Sequence, residues 1–155
     1  MKTHAADAPV SNPAAAPSGG VGMQLSFALY SAANRMARAH KPFLEPLGLT
    51  FPQYLVLLEL FSAAPRSVGE LGTKLGMDTG TITPLLKRLE AAGAVTRRRD
   101  PADERRVLVS LTAAGEALRI PVLGVVDQVK GACPVDEERL VALRDTLAGL
   151  APRED

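Results

Sequence analysis

A mainly α-helical chain carrying one small β-hairpin is the fold class that these 155 residues predict. Three observations predict it. Apolar residues recur at spacings of three and four through most of the chain, which is the period of a helix face. Two capping boxes, Thr50–Gln53 and Ser67–Glu70, stand directly before apolar runs. Only Val95–Arg99 and Arg106–Leu111 read as strands, joined by the turn residues Asp100 to Glu104.

The elements follow in order. Residues 1–20 are almost entirely Ala, Pro, Ser and Gly beyond the first few positions, and read as a disordered leader. Leu25, Leu29, Ala32 and Met36 form one stripe of a first helix, after which Pro42 and Gly48 interrupt the chain. Thr50 caps a second helix whose run Tyr54 to Phe61 is apolar nearly all round, so it belongs in the middle of a core. Ser67 caps a short helix burying Val68, Leu71 and Leu75, which Gly76 ends. Asp78-Thr79-Gly80-Thr81 opens the next helix, with stripe Ile82, Leu85, Leu86 and Leu89 and with Gly93 as its C-cap. Pro84 requires that helix to begin only a few residues earlier or to kink. After the hairpin, Thr112 caps a helix with stripe Leu118, Val122, Val125 and Val129, bent at Pro121. Pro134 suits the first turn of a last helix, with Asp136 and Glu137 at its positive end. There Leu140, Leu143, Leu147 and Leu150 form an a/d seam.

Composition narrows the function. Hydrophobic residues are 46% and charged residues 23%, ordinary globular values that exclude a collagen, a disulfide-stapled miniprotein or a wholly disordered chain. No apolar stretch is long enough to span a bilayer and the start lacks a signal-peptide run, so the expected location is cytoplasmic, with no membrane partner. A single cysteine, Cys133, forms no internal disulfide, which fits a reducing compartment. No P-loop, nucleophile elbow or Cys/His metal spacing is present, so neither an enzyme nor a cofactor or metal site is expected. The net charge is only +1, but residues 87–106 hold seven basic and four acidic groups, so positive charge is concentrated in twenty residues.

That concentration coincides with a motif. The short helix, the turn at residues 76–78 and the helix Thr79–Ala92 make a helix-turn-helix. Thr79, Thr81, Thr83, Lys87 and Arg88 lie mostly off the apolar stripe, and hydroxyls and cations are the groups that bond phosphates and base edges. The arginine-rich hairpin that follows reads as a wing. Strand alternation points Arg97 and Arg99 one way and Arg98 the other. A solvated charged face is the bland alternative; fold order and charge together favour double-stranded DNA as the partner.

The stretch Thr79-Gly80-Thr81-Ile82-Thr83-Pro84-Leu85-Leu86-Lys87-Arg88-Leu89-Glu90, then Asp103-Glu104-Arg105 and Val109-Ser110-Leu111-Thr112, resembles the MarR family of winged-helix transcription regulators. Leu25-Ser26-Phe27-Ala28-Leu29-Tyr30 and Gly48-Leu49-Thr50-Phe51-Pro52-Gln53-Tyr54 are similar to its organic hydroperoxide regulator branch. The resemblance covers about residues 23–115 closely and the last helices by pattern only. It implies one winged-helix domain over residues 21–155, with a DNA-binding lobe at about 50–112 and dimerisation helices at about 21–47 and 113–150. It also implies a repressor that binds a pseudo-palindromic operator as a homodimer, with helix Thr79–Ala92 in the major groove and Arg105 in the minor groove. Asp103 would brace the wing through an arginine, and Arg97, Arg99 and Arg106 complete the expected DNA-contacting set.

The departures from that branch carry as much information. Its members sense peroxide with a first-helix cysteine, where this chain has Ser26, and support it with two tyrosines, where this chain has His40 and Phe51. Serine has no thiolate and forms no sulfenic acid. Three departures at one site favour a chain that has lost this chemistry over one carrying a single engineered substitution. Ser26, Tyr30, His40, Phe51 and Tyr54 are then expected to line a pocket for a small effector that releases DNA. His40 has a second reading, as a cation complementing the end of the first helix. Cys133 is either a small packing residue or a redox-active thiol, and an oxidation-responsive regulator acting through it is the alternative function. A protein-binding adaptor that dimerises through Leu140–Leu150 is the other.

Overall fold

The computed structural model describes residues 20–132 and 136–150, and the chain divides into two compact units, Met1–Arg35 and Met36–Asp155. The expected leader falls almost wholly outside the described residues, as do Cys133 and Pro134.

The first unit holds a 3-10 turn, Val21–Met23, and the N-terminal part of α1, Leu25–Leu44. Of the apolar stripe expected here, Leu25 and Ala32 are exposed, as are the neighbouring Phe27 and Tyr30. Pro42 does not end α1, as its ring and missing amide suggest it should; the helix runs through it to Leu44. A proline costs a helix the amide hydrogen bond at its own position, and here only the last turn lies beyond it.

In the second unit, α2 (Phe51–Ser62) is the central rod, with Val56, Leu57 and Leu60 inaccessible to solvent. Gln53 Oε1 accepts from the Thr50 amide at 2.9 Å and starts it. Around it pack α3 (Val68–Leu75), α4 (Thr79–Ala91) and α6 (Arg119–Ala132), through Leu71, through Ile82, Leu86 and Leu89, and through Val122 and Val125. The sheet has three strands in the order β1-β3-β2, all antiparallel: β1 Arg66–Ser67, β2 Val95–Asp100 and β3 Asp103–Leu111. Strand β1 is not expected from the sequence. Two residues after Pro65, the second of them the cap of α3, carry no strand period, and only their pairing with Val109 and Leu108 defines them.

Two further expectations change. The hairpin turn is Pro101-Ala102 rather than five residues, because Asp100 Oδ1 accepts from the Ala102 amide at 2.9 Å and lets the strands pair as far as Asp100 and Asp103. The helix after the hairpin is two helices, α5 (Ala113–Ala117) and α6, which part at Leu118. Pro121 therefore occupies the first turn of α6, where its missing amide costs little, and does not bend a continuous rod. The last helix, α7 (Glu137–Ala148), is capped by Asp136 and leaves Val141, Leu143 and Leu147 exposed.

Thr112 joins α5 to the end of α4. Its hydroxyl donates to Gly93 O at 2.5 Å and accepts from the Gly115 amide at 2.9 Å. Gly115 is pressed so close to the Ala94 carbonyl that an added Cβ would overlap that oxygen. Gly115→Ala is expected to cost about 3 kcal/mol or more, since backbone blocks the methyl group and no side chain can swing aside. Urea denaturation checks this, and an unchanged midpoint contradicts the packing described.

Candidate nucleic-acid interface

The interface begins with the geometry that holds α3 and α4 at a fixed angle. Ser67 and Glu70 cap α3 reciprocally: Glu70 Oε2 accepts from the Ser67 amide at 2.6 Å and Ser67 Oγ from the Glu70 amide at 3.2 Å. Gly76, at φ 62°, reverses the chain in the left-handed region that favours glycine, and the Met77 amide closes back on Gly72 O at 2.8 Å. Asp78 Oδ1 then accepts from the Thr81 amide at 2.7 Å and launches α4. Hydrogen bonds from Thr81 hold the Asp78 carboxyl below its ordinary range.

One face of α4 is fully committed to the core through Ile82, Leu85, Leu86 and Leu89. Opposite, Thr79, Thr81, Lys87 and Arg88 are exposed and Thr83 is half-buried. Helix α4 stands as a ridge between two recesses. An open one of about 480 Å³ is lined by Ser67, Gly69, Thr83, Arg97, Arg105 and Arg106, and one of about 220 Å³ by Thr50, Gln53, Thr81 and Arg88. Pro84 is exposed on the ridge, so it interrupts the amide ladder on the solvent side only.

The hairpin of β2 and β3 is clamped to this ridge at its base. Glu90 on α4 accepts from Arg97 three times: from its amide at 3.0 Å, from Nε at 2.9 Å and from Nη2 at 2.7 Å. The Arg97 guanidinium holds the Glu90 carboxyl below its usual range. Arg97 and Arg99, expected on one side of the strand, differ in surroundings. Arg97 is half-buried against Glu90, whereas Arg99 is exposed and donates to Glu104 O at 2.7 Å. Pairing is regular from Arg97 to Arg99, opposite Val109 to Val107, and shifts only after Arg99, so the two differ because Glu90 takes up Arg97 at the base of the wing. Further out, Arg106 Nη2 lies 3.3 Å from Glu70 Oε1, so the carboxylate that caps α3 also holds the wing. At the tip, Asp103 Oδ1 accepts from both the amide and Nε of Arg105 at 3.1 Å, while the Arg105 side chain stays 91% exposed. Among the described residues Lys87, Arg88 and Arg98 make no ion pair.

Glu90 and the second role of Glu70 escape sequence reading. Glu90 meets its arginine across the α4–β2 turn and Glu70 meets Arg106 across the wing, and no local spacing records which carboxylate pairs with which cation.

Of the expected effector-pocket residues, the structure brings His40, Phe51 and Tyr54 together. The His40 ring is 4.7 Å from that of Phe51 and 5.5 Å from that of Tyr54. His40 is buried, and its Nδ1 donates to Met36 O at 2.8 Å, one turn back along α1. Burial raises the Tyr54 hydroxyl above its ordinary pKa. Ser26 and Tyr30 lie one turn apart on α1 within the first unit, both exposed. No metal-binding group of three or more His, Cys, Asp or Glu occurs among the described residues, and none of their helices is long and apolar enough to cross a membrane.

A helix presented as a ridge, flanked by an arginine-rich β-ribbon, defines a winged helix-turn-helix, a shape complementary to a DNA groove. Similarity to known proteins gives this class its family. The MarR family model matches residues 49–107. The organic hydroperoxide resistance transcriptional regulator of Bacillus subtilis (strain 168) is 40% identical over 124 residues, covering 80% of this chain and 84% of that protein. Among solved structures, reduced AbfR bound to DNA, a protein of Staphylococcus epidermidis, superposes with a TM-score of 0.69 at 33% identity, over 84% of this chain and 94% of that one. CouR from Rhodococcus jostii RHA1, bound to p-coumaroyl-CoA, gives a TM-score of 0.74 at 27% identity, over 89% and 99%. The chain belongs to the MarR family, and it is a DNA-binding transcriptional regulator rather than an enzyme.

Carboxylates with depressed pKa values stabilise the fold above their unfolded-state values, about 4, and lose that contribution as pH falls through their lower folded-state values. Glu70, Asp78, Glu90 and Asp103 are all of this kind. Glu90→Gln keeps an acceptor for Arg97 but removes the charge. Its unfolding midpoint is therefore expected to fall less steeply than that of the wild type between about pH 5 and 3. Coincident acid limbs would show that the clamp has no electrostatic part.

Proposed function

We propose that the chain acts as a homodimeric repressor of the MarR type, which grips a pseudo-palindromic operator and lets go when a small effector binds. The observation that carries this is the α4 ridge, polar on its one unburied face and clamped by Glu90 and Arg97 to an arginine-rich wing. In this reading Thr79, Thr81, Thr83, Lys87 and Arg88 meet the major groove, and Arg105 reaches the minor groove with Asp103 bracing it. Arg99 and Arg106 meet phosphates. Arg97 contributes mainly by fixing the wing, since Glu90 already takes three of its donors. Lys87, Arg88 and Arg98, which have no carboxylate partner among the described residues, supply the phosphate charge at least desolvation cost.

Dimerisation is supported by exposed apolar surface: Leu25 and Phe27 on α1, Ile120 and Leu123 on α6, and Leu143 and Leu147 on α7. Exposed apolar faces of this extent mark interaction surfaces. The effector reading centres on His40, Phe51 and Tyr54, where two aromatic rings flank an imidazole whose second nitrogen has no bond among the described residues and is left for a ligand. AbfR is known in DNA-bound reduced and overoxidized forms, and CouR with p-coumaroyl-CoA. With Ser26 in place of a thiol, control by a bound small molecule fits this chain better than control by oxidation.

A gel shift on the DNA upstream of the protein's own gene tests the reading. Arg105→Ala is expected to weaken binding with little change in melting temperature, because its side chain is exposed and its bond to Asp103 is screened by water. Unchanged affinity would remove the wing tip from the interface. Lys87→Ala should flatten the dependence of log K on log salt by about 0.9 for each phosphate charge no longer neutralised; an unaltered slope takes Lys87 off the phosphates. Addition of an organic hydroperoxide should leave the complex intact, and release that persists in Cys133→Ser would contradict the loss of oxidation sensing.

A further inference from the structure

The carbonyl of Phe61, at the end of α2, is denied its helical partner by sequence, since the residue four positions on is Pro65, which has no amide hydrogen. Arg119 takes that partner's place from 58 positions away. Its Nη1 donates to Phe61 O at 2.8 Å, and its guanidinium lies 4.8 Å from the centroid of the Phe61 ring. Its Nε donates to Glu116 Oε1 at 2.7 Å. A cation at a helix C-terminus is favoured by the dipole, and a flat guanidinium can stack and donate at once, which an ammonium cannot.

The position of this residue gives its bond a consequence. Arg119 is the first residue of α6, and the break between α5 and α6 falls at Leu118, immediately before it. The break lets α5 and α6 meet at an angle that side-chain contacts must set, and α6 rests on α2 through Val122 and Val125, within two turns of Arg119. On one side stands the wing, entering through β3 and α5; on the other α6 carries the exposed residues Ile120 and Leu123. Helix α2, which Arg119 grips, is the rod on which α3 and α4 pack. We propose that Arg119 is the positioning residue that sets the angle of α6 to the winged-helix lobe, and so sets the separation of the two α4 helices in the dimer. This rests on the dimeric reading given under the proposed function.

A nitroxide placed at Ala91→Cys, on the exposed end of α4, in a Cys133→Ser background reports that separation directly by pulsed dipolar spectroscopy. The parent is expected to give one narrow intersubunit distance. Arg119→Ala should broaden it and bind about tenfold more weakly to the DNA fragment that the parent selects from a random pool, with unchanged helical content. Arg119→Lys should fall between, since it keeps the charge but loses the stacked plane, and it decides the matter if the alanine variant does not fold. A role confined to stability would lower the melting temperature and leave the distance distribution alone; that result, or a weaker affinity at an unaltered distance, overturns the proposal. A parent with no intersubunit dipolar signal would remove the dimer itself, and the positioning role with it.

Discussion

Ile82, Leu85, Leu86 and Leu89 are all buried, and the orientation of α4 about its own axis is thereby fixed. A helix whose apolar stripe is satisfied on one side has a single remaining face to show. On this chain that face carries three threonines, a lysine and an arginine, and it projects between two recesses. Rolling the helix by one residue would bury a threonine and expose a leucine, at a cost of about 2 kcal/mol for the leucine alone. The polar face is therefore a product of core packing, and no residue on it needs to hold it in place.

The wing obeys a different constraint. A two-stranded ribbon has little core of its own and is marginal in isolation. Here Val95 and Val109 anchor its base in the common core, β1 extends it to a third strand, and carboxylates on the neighbouring helices hold its arginines. Glu90 holds Arg97 and Glu70 holds Arg106. Such pairs are half-exposed and individually weak, but they tie the wing to both helices of the helix-turn-helix, Glu90 on α4 and Glu70 on α3. Lys87, Arg88 and Arg98 have no such partner among the described residues.

Most of the fold is legible in the sequence because its signals are local. The capping boxes at Thr50 and Ser67, the glycines that follow α3 and α4, and the stripe of α4 each declare themselves within a few residues. What the sequence hides is set at a distance. The strand Arg66–Ser67 exists only through Val109 and Leu108, and the seating of α5, which ends at Ala117, depends on Gly115 lying against Ala94 O. The site divides in the same way. The threonines and cations of α4 follow from helical period, and the arginine run follows from composition. That Arg97 is spent on Glu90, and that Arg119 completes α2, follows only from the tertiary path of the chain. That His40 and Phe51 pack ring against ring with Tyr54 is likewise a matter of geometry.

Function on this reading requires two α4 ridges to meet one duplex together, each entering a major groove. Hydroxyl-radical footprinting of the full-length protein on a DNA fragment selected from a random pool measures this most directly. Two protected patches are expected on one face of the duplex, with centres one helical turn apart, about 34–36 Å. A single patch at saturating protein, or two patches on opposite faces, would contradict it.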